Sequence, residues 1–283
     1  MRMALNMEVA ALALALPAIV GALAARGDAP PAAASAADEP ATSTPAAPLR
    51  LQPVGASLRL RMGVKRGFYV YPARPPVNPN ARAVLLFSGD WGWKPVLQET
   101  ASYLATHGRT VVGIDSTDYF SRQIEGPDWA RDLKTLRDFA NEKAGHPAGT
   151  PVLIAGYTWG ATLVPWMLNL GGNEGFAGAL LIGPDFRSSR IFRVALQMPT
   201  NIVPLPPDEE FLTIDEVGKM ARLPVVVMQG AQDMESAGDQ LLPLFKGPKK
   251  LVNVPGADRQ FSEVRDIYLS LASQALGWLE GAH

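Results

Sequence analysis

The 283-residue chain contains no cysteine. That excludes a disulfide framework, a thiolate nucleophile, cysteine-ligated zinc and an acylated lipoprotein cysteine. Histidine is almost as scarce: His107, His146 and His283 are the only three, far apart in the chain. A histidine-rich metal site is therefore not expected, and few imidazoles are on hand for acid–base chemistry. Basic excess is missing too, since the formal net charge is -1, which argues against nucleic acid as a general partner. There is no internal repeat, and no motif implies a cofactor. Apolar residues make up 47% of the chain, enough for a sizeable core.

One long apolar run is present, at 9–25, preceded by Arg2 and Glu8 and ending in small residues. It suits the apolar region of a signal peptide, with cleavage near Ala24 or Ala25. Uncleaved, it would sit at the lower limit for a spanning helix and give association with a membrane through the amino terminus. Either outcome places the folded part outside the cytoplasm. Residues 27–48 are dominated by Ala, Pro, Ser and Thr and lack the large apolar side chains needed to fold, so they are expected to be a disordered linker. The expected division is a leader or anchor at 1–26, a linker at 27–48 and a folded domain at 49–283.

Within that domain, alternation at 57–62 and 68–71 predicts two strands of an antiparallel edge, and the proline-rich stretch 74–80 a loop. Short apolar strands then alternate with helical patterns. Strands are expected at 83–87, 110–114, 151–155, 177–182, 223–228 and 250–254. Helices are expected at 95–106, 127–144, 158–170, 235–245 and 263–279. This rhythm implies an α/β domain, a doubly wound, mostly parallel sheet with helices on both faces. The segment 185–220 shows no clean period and carries four prolines. An insertion there would lie over the carboxyl ends of the strands as a lid or a plain surface excursion.

The centre of this pattern is Gly156-Tyr157-Thr158-Trp159-Gly160, between an apolar strand and an apolar helix. The arrangement is that of the nucleophile elbow of α/β-hydrolases, G-x-S-x-G, with Thr158 in the serine position. A β-branched residue is an awkward occupant of strained backbone. A hydrolase triad would continue with an acid after a late strand and a histidine after the last one. Asp233 fills the acid's place, or else caps the helix that follows. The last loop, 254–261, has no histidine. Asp258 stands there instead, and an unperturbed carboxylate is a weak base for an alcohol. The Gly-rich turn Ser88-Gly89-Asp90-Trp91-Gly92-Trp93 supplies backbone N–H groups for an oxyanion hole, together with that of Trp159. A further alternative has Asp90, Asp233 and Asp258 converging on a hard cation.

Taken together, these residues resemble the bacterial virulence-protein family of VirJ and AcvB. The family pattern is a Ser-Gly-Asp-Gly-Gly-Trp turn, a Val-Gly-x-Asp-Ser-x-x-Tyr-Phe stretch, an elbow Gly-Tyr-Ser-x-Gly-Ala-Asp with a following proline, and a late Pro-Gly-x-His-His-Phe. The chain carries Ser88 to Trp93, Val112 to Phe120 with Asp115 and Ser116, Gly156 to Thr162 with Pro165, and Pro255 to Phe261. The resemblance implies an α/β-hydrolase domain exported to the periplasm and linked to virulence or secretion. For AcvB-like members it also implies hydrolysis of aminoacylated phosphatidylglycerol. The departures fall on the chemistry: serine is Thr158, the acid after the elbow is Thr162, and the histidine pair is Asp258-Arg259. They point to a degenerate triad and to binding of a lipid headgroup or a periplasmic protein partner. The alternative is an atypical active esterase on lipid esters. Asp115 and Ser116 are expected to fix the strand-end turn.

Overall fold

The computed structural model describes residues 49–51, 68–75, 80–192 and 209–282. The expected leader, the linker and the strand at 57–62 lie outside the described residues. Among the described residues no helix is long and apolar enough to cross a membrane.

An eight-stranded sheet forms the frame. Its strands are β1 (Leu49–Leu51), β2 (Phe68–Tyr71), β3 (Val84–Phe87), β4 (Val111–Ile114), β5 (Val152–Tyr157), β6 (Phe176–Ile182), β9 (Val225–Gly230) and β10 (Lys249–Val254). The order across the sheet is β1-β2-β4-β3-β5-β6-β9-β10. From β4 to β10 all neighbours are parallel, while β1 and β2 run antiparallel at one edge. The antiparallel edge expected from sequence is present, and the partner of β2 there is β1.

Every residue of β3, β4, β5, β6 and β9 is buried. That is why these strands read as unbroken apolar runs: helices cover both faces of a parallel sheet. The side chains still alternate. Leu85, Phe87, Ile154, Val225 and Val227 join one core cluster, whereas Val84, Leu86, Leu153, Val226 and Met228 join the other. The first cluster is covered by α3 (Gly126–Ala144), α4 (Trp159–Gly171) and α5 (Thr213–Lys219), the second by α1 (Pro95–Thr106) and α7 (Arg265–Gly281). Trp129 of α3 is fully buried and its Nε1 donates to the Met167 carbonyl of α4 at 2.8 Å. The indole thus satisfies its one polar atom inside the core, as a buried tryptophan must.

Three local expectations change. A helix at 235–245 shrinks to one turn, α6 (Gly238–Leu241), followed by a 3-10 turn at Leu242–Leu244. Pro243 lacks the N–H that a continuing helix needs. The described parts of 185–220, residues 185–192 and 209–220, carry regular structure that the lack of period did not suggest. They hold an antiparallel pair, β7 (Arg187–Ser189) and β8 (Glu210–Leu212), and then α5. Strands of three residues are too short to show alternation. A single helical turn, α2 (Ser116–Tyr119), follows β4 and was not expected from the sequence.

Candidate active site

The carboxyl ends of β3, β5, β6 and β9 converge on the turn between β5 and α4. Thr158 is the residue at that turn, with φ 48° and ψ -114°. It is one of two non-glycine residues at positive φ among those described. Such a conformation costs on the order of 1–3 kcal/mol and persists only where surroundings enforce it. The glycines on either side enforce it through close packing. A Cβ on Gly156 would lie 2.4 Å from the Gly160 carbonyl oxygen, and one on Gly160 would lie 2.4 Å from the Ser88 carbonyl oxygen. Strand β5, helix α4 and the turn after β3 are therefore in contact through backbone alone.

Thr158 is 5% exposed. Its hydroxyl rests over Gly89, where a Cβ would lie 2.1 Å from Oγ1, and it donates to Asp90 Oδ1 at 3.4 Å. This is a long hydrogen bond. Thr162, one turn into α4, donates through Oγ1 to the Thr158 carbonyl at 3.1 Å and accepts from the Asp185 backbone N–H at 2.8 Å. The loop after β6 is fastened to the elbow in this way.

The Gly89–Trp93 turn is closed by Gly92 N–H donating to the Gly89 carbonyl at 3.1 Å, with Gly92 at φ 73°. Asp115 holds this turn from the end of β4. Its Oδ2 accepts from Trp93 N–H at 3.3 Å, and its Oδ1 accepts from the N–H and hydroxyl of Thr117 at 3.2 and 2.7 Å. The Ser116 N–H donates to Ser88 Oγ at 2.9 Å. Asp115 and Ser116 thus bind the ends of β3 and β4 to each other. Trp91 stands at the tip of the turn, 58% exposed, whereas Trp159 is buried and its Nε1 donates to the Ser189 carbonyl of β7 at 3.1 Å.

The acid and base positions look different. Asp233 Oδ1 accepts from the N–H groups of Glu235 and Ser236 at 3.1 and 3.2 Å, closing its own turn; it caps no helix, because α6 starts at Gly238 with Ala237 as its N-cap. Its Oδ2 is buried with no hydrogen-bond partner. Asp258 is exposed, and its Oδ1 accepts from the Gln260 N–H at 2.9 Å, closing a local turn. The triad position assigned to Asp258 is corrected by this: its carboxylate is spent on its own loop and faces water. The next residue, Arg259, points into the site instead. Its Nη2 pairs with Asp185 Oδ1 at 2.6 Å, and its Nη1 lies 3.6 Å from Asp233 Oδ1 and 3.7 Å from Glu235 Oε2. The Tyr157 hydroxyl donates to the Arg259 carbonyl at 2.9 Å and anchors the loop.

Electrostatics follow from this crowding. Burial pushes the Asp185 carboxyl up to about 6, against the pull of Arg259, with Asp90 and Asp233 adding like-charge repulsion. Burial also raises Asp90, partly offset by its own backbone N–H, by Arg259 and by the Thr158 hydroxyl. Asp185 was not singled out from sequence, and Arg259 was noted only as half of the pair that stands in place of two histidines. The signal available was the charge at 258–259 in place of two histidines, and an arginine among acids.

Neither described histidine can help. His107 caps the carboxyl end of α1 and stacks on Tyr103 with ring centroids 4.0 Å apart, and His146 follows α3. Both precede strands, at the edge of the sheet away from the elbow. No group of three or more His, Asp or Glu among the described residues is placed to hold a metal ion. Asp90, Asp233 and Asp258 therefore do not form the cation site considered above.

Residues 81–174 match the family model of the bacterial virulence protein VirJ. The VirJ segment contains the motifs at 88–93, 112–120 and 156–165, so the resemblance read from them holds there; the late motif at 255–261 lies beyond the match. Solved structures extend the likeness over most of the chain. Est1E from Butyrivibrio proteoclasticus superposes with TM-score 0.53 at 14% identity, covering 76% of this chain and 94% of that one. A soluble variant of monoglyceride lipase from Saccharomyces cerevisiae gives 0.54 at 15%, covering 75% and 91%. Dienelactone hydrolase from Anabaena variabilis gives 0.53 at 17%, covering 82% and 98%. At such identities the likeness shows the fold alone, an α/β-hydrolase fold. No curated protein sequence matches the chain.

Proposed function

We propose that this VirJ-type chain is an exported, periplasmic protein that uses an α/β-hydrolase fold to bind rather than to hydrolyse, in a virulence or secretion-accessory role. The observation that carries this reading is the state of Arg259. In the loop where the base would stand is a guanidinium, which cannot accept a proton at any ordinary pH, and it is committed to Asp185 at 2.6 Å. Asp233 has no imidazole to orient, and its Oδ1 is occupied by the backbone of its own turn. In a serine hydrolase, loss of a triad member leaves only about 10³ to 10⁴-fold catalysis over water. The apolar run at 9–25 supports export.

One observation favours a second reading, an atypical esterase acting on lipid esters such as aminoacyl-phosphatidylglycerol. Thr158 keeps the strained elbow backbone, and the carboxylate that accepts from its hydroxyl is one whose basicity burial increases. Hydrolysis of short-chain esters and of lysyl-phosphatidylglycerol by the full-length chain separates the two. We expect turnover at the level of buffer for the wild type, for Thr158→Ala and for Thr158→Ser. Turnover well above buffer that Thr158→Ala abolishes would overturn the binding reading.

A further inference from the structure

The carboxyl edge of the sheet carries a pattern that the elbow does not use. The loops after β3, β6 and β9 each present an acid followed at once by an exposed apolar residue. Asp90 precedes Trp91 (58% exposed), Asp185 precedes Phe186 (38%), and Asp233 precedes Met234 (96%). The strand order β3-β5-β6-β9 brings all three loops to one edge, within about 14 Å at ~4.8 Å per strand. Single exposed apolar residues need no explanation, but here three stand on one edge, each directly after an acid.

The charge on this edge is unbalanced. Asp185, Asp233 and Glu235 all engage the single guanidinium of Arg259, and Lys94 lies over the Trp91 ring, 5.5 Å from its centroid. The imbalance has a focus. The Asp233 side chain is 2% exposed and its Oδ2 has no hydrogen-bond partner. That oxygen faces the elbow: it lies 3.5 Å from the point where a Cβ on Gly183 would be, and the same point is 3.9 Å from Thr158 Cγ2. A buried carboxylate oxygen without a donor costs about 1–3 kcal/mol or more. A donor brought by a ligand removes that cost.

We propose that this edge docks an extended segment of a partner protein in which a lysine or arginine stands next to an apolar residue. The inference rests on the binding reading of the elbow given above. Neighbouring side chains of an extended segment point to opposite sides, about 3.4 Å apart along the chain, so one can reach the acids while the next lies on Trp91 or Met234. The acid-then-apolar order of the three loops is the complement of such a segment. Charge complementarity selects a basic partner, and the same carboxylates repel an anionic bilayer surface.

The probe is a fluorescently labelled, end-blocked pentapeptide alternating lysine and phenylalanine, titrated with full-length protein and followed by anisotropy at low and at physiological salt. It is compared with a glutamate–phenylalanine peptide and a lysine–serine peptide. We expect the lysine–phenylalanine peptide to bind about tenfold or more tighter than either, a difference of roughly 1.4 kcal/mol. Met234→Ser, at a fully exposed position that does not affect folding, and Asp233→Asn should each weaken it several-fold. Equal binding of the lysine–serine peptide would reduce the site to unspecific charge and overturn the proposal, as would insensitivity to Met234→Ser. Displacement of the peptide by n-octylamine at equal concentration would overturn it in favour of a small amphiphilic amine. Binding measured with Thr158→Ala, which removes any turnover, reports on this proposal separately from the hydrolysis assays.

Discussion

The two halves of the elbow region are held in different ways. On the oxyanion side, backbone does the work: Gly89, Gly156 and Gly160 allow contacts of 2.1 to 2.4 Å to a hypothetical Cβ, and Asp115 pins the turn through Trp93. On the side where an acid and a base would stand, side chains set the geometry, and the chain carries an ion-pair cluster around Arg259 there. Backbone geometry is fixed by packing. Acid–base chemistry needs particular functional groups at particular atoms, and nothing in the packing of the fold preserves them. Thr158 keeps the strained turn on the first side, and Arg259 sits among acids on the second.

The sharpest way to break the comparison is at the backbone contact. Gly160→Leu drives a side chain into the Ser88 and Phe87 carbonyls and is expected to cost about 4 kcal/mol or more, enough to prevent folding, as judged by circular dichroism and thermal melting. A stable, native-like variant would show that the oxyanion side is not held by backbone contact.

Arg259→Ala tests the other half. Asp185 titrates near 6 in the fold against its ordinary 3.8, so ionising it opposes folding. That penalty sets in as pH rises past the unfolded value and is complete above the folded one. Arg259 limits the penalty, and its removal therefore matters only where Asp185 is charged. We expect Arg259→Ala to destabilise by roughly 2 kcal/mol at pH 8 and by much less at pH 4, measured by denaturant unfolding at each pH. An equal loss at both would mean that Arg259 acts by packing alone.

The smallest effect is expected at the elbow residue. Thr158→Gly relieves the positive φ, and we expect a gain of about 1 kcal/mol, seen as a modest rise in melting temperature. A fall would show that the Thr158 hydroxyl over Gly89 and Asp90 stabilises more than its backbone strain costs.

Much of the frame was legible in the chain. Buried parallel strands such as Val152–Tyr157 and Val225–Gly230 open with unbroken apolar runs because both faces are covered, and Pro95 opens its helix where a missing N–H does no harm. The short elements were not legible. β7, β8 and α2 span three or four residues each, less than one clear period of any pattern. Within the site, Thr158 and the Gly89–Trp93 turn were found by motif, and Asp233 as either acid or cap. Asp258 was misplaced because sequence order cannot say which of two neighbours in a loop turns inward; the loop reverses at Phe261, at φ 55°, and Arg259 takes the site.

By itself the sequence determined the α/β order of elements, the strand–turn–helix centred on Thr158 and the absence of any histidine from the last loop, because periodicity and composition are local properties. Only the tertiary structure decided that Arg259 is shared between Asp185, Asp233 and Glu235, and that Asp233 keeps one oxygen without a donor. These groups come from the loops after three different strands. Their meeting depends on how β6, β9 and β10 are ordered in the sheet, which no stretch of the chain encodes alone.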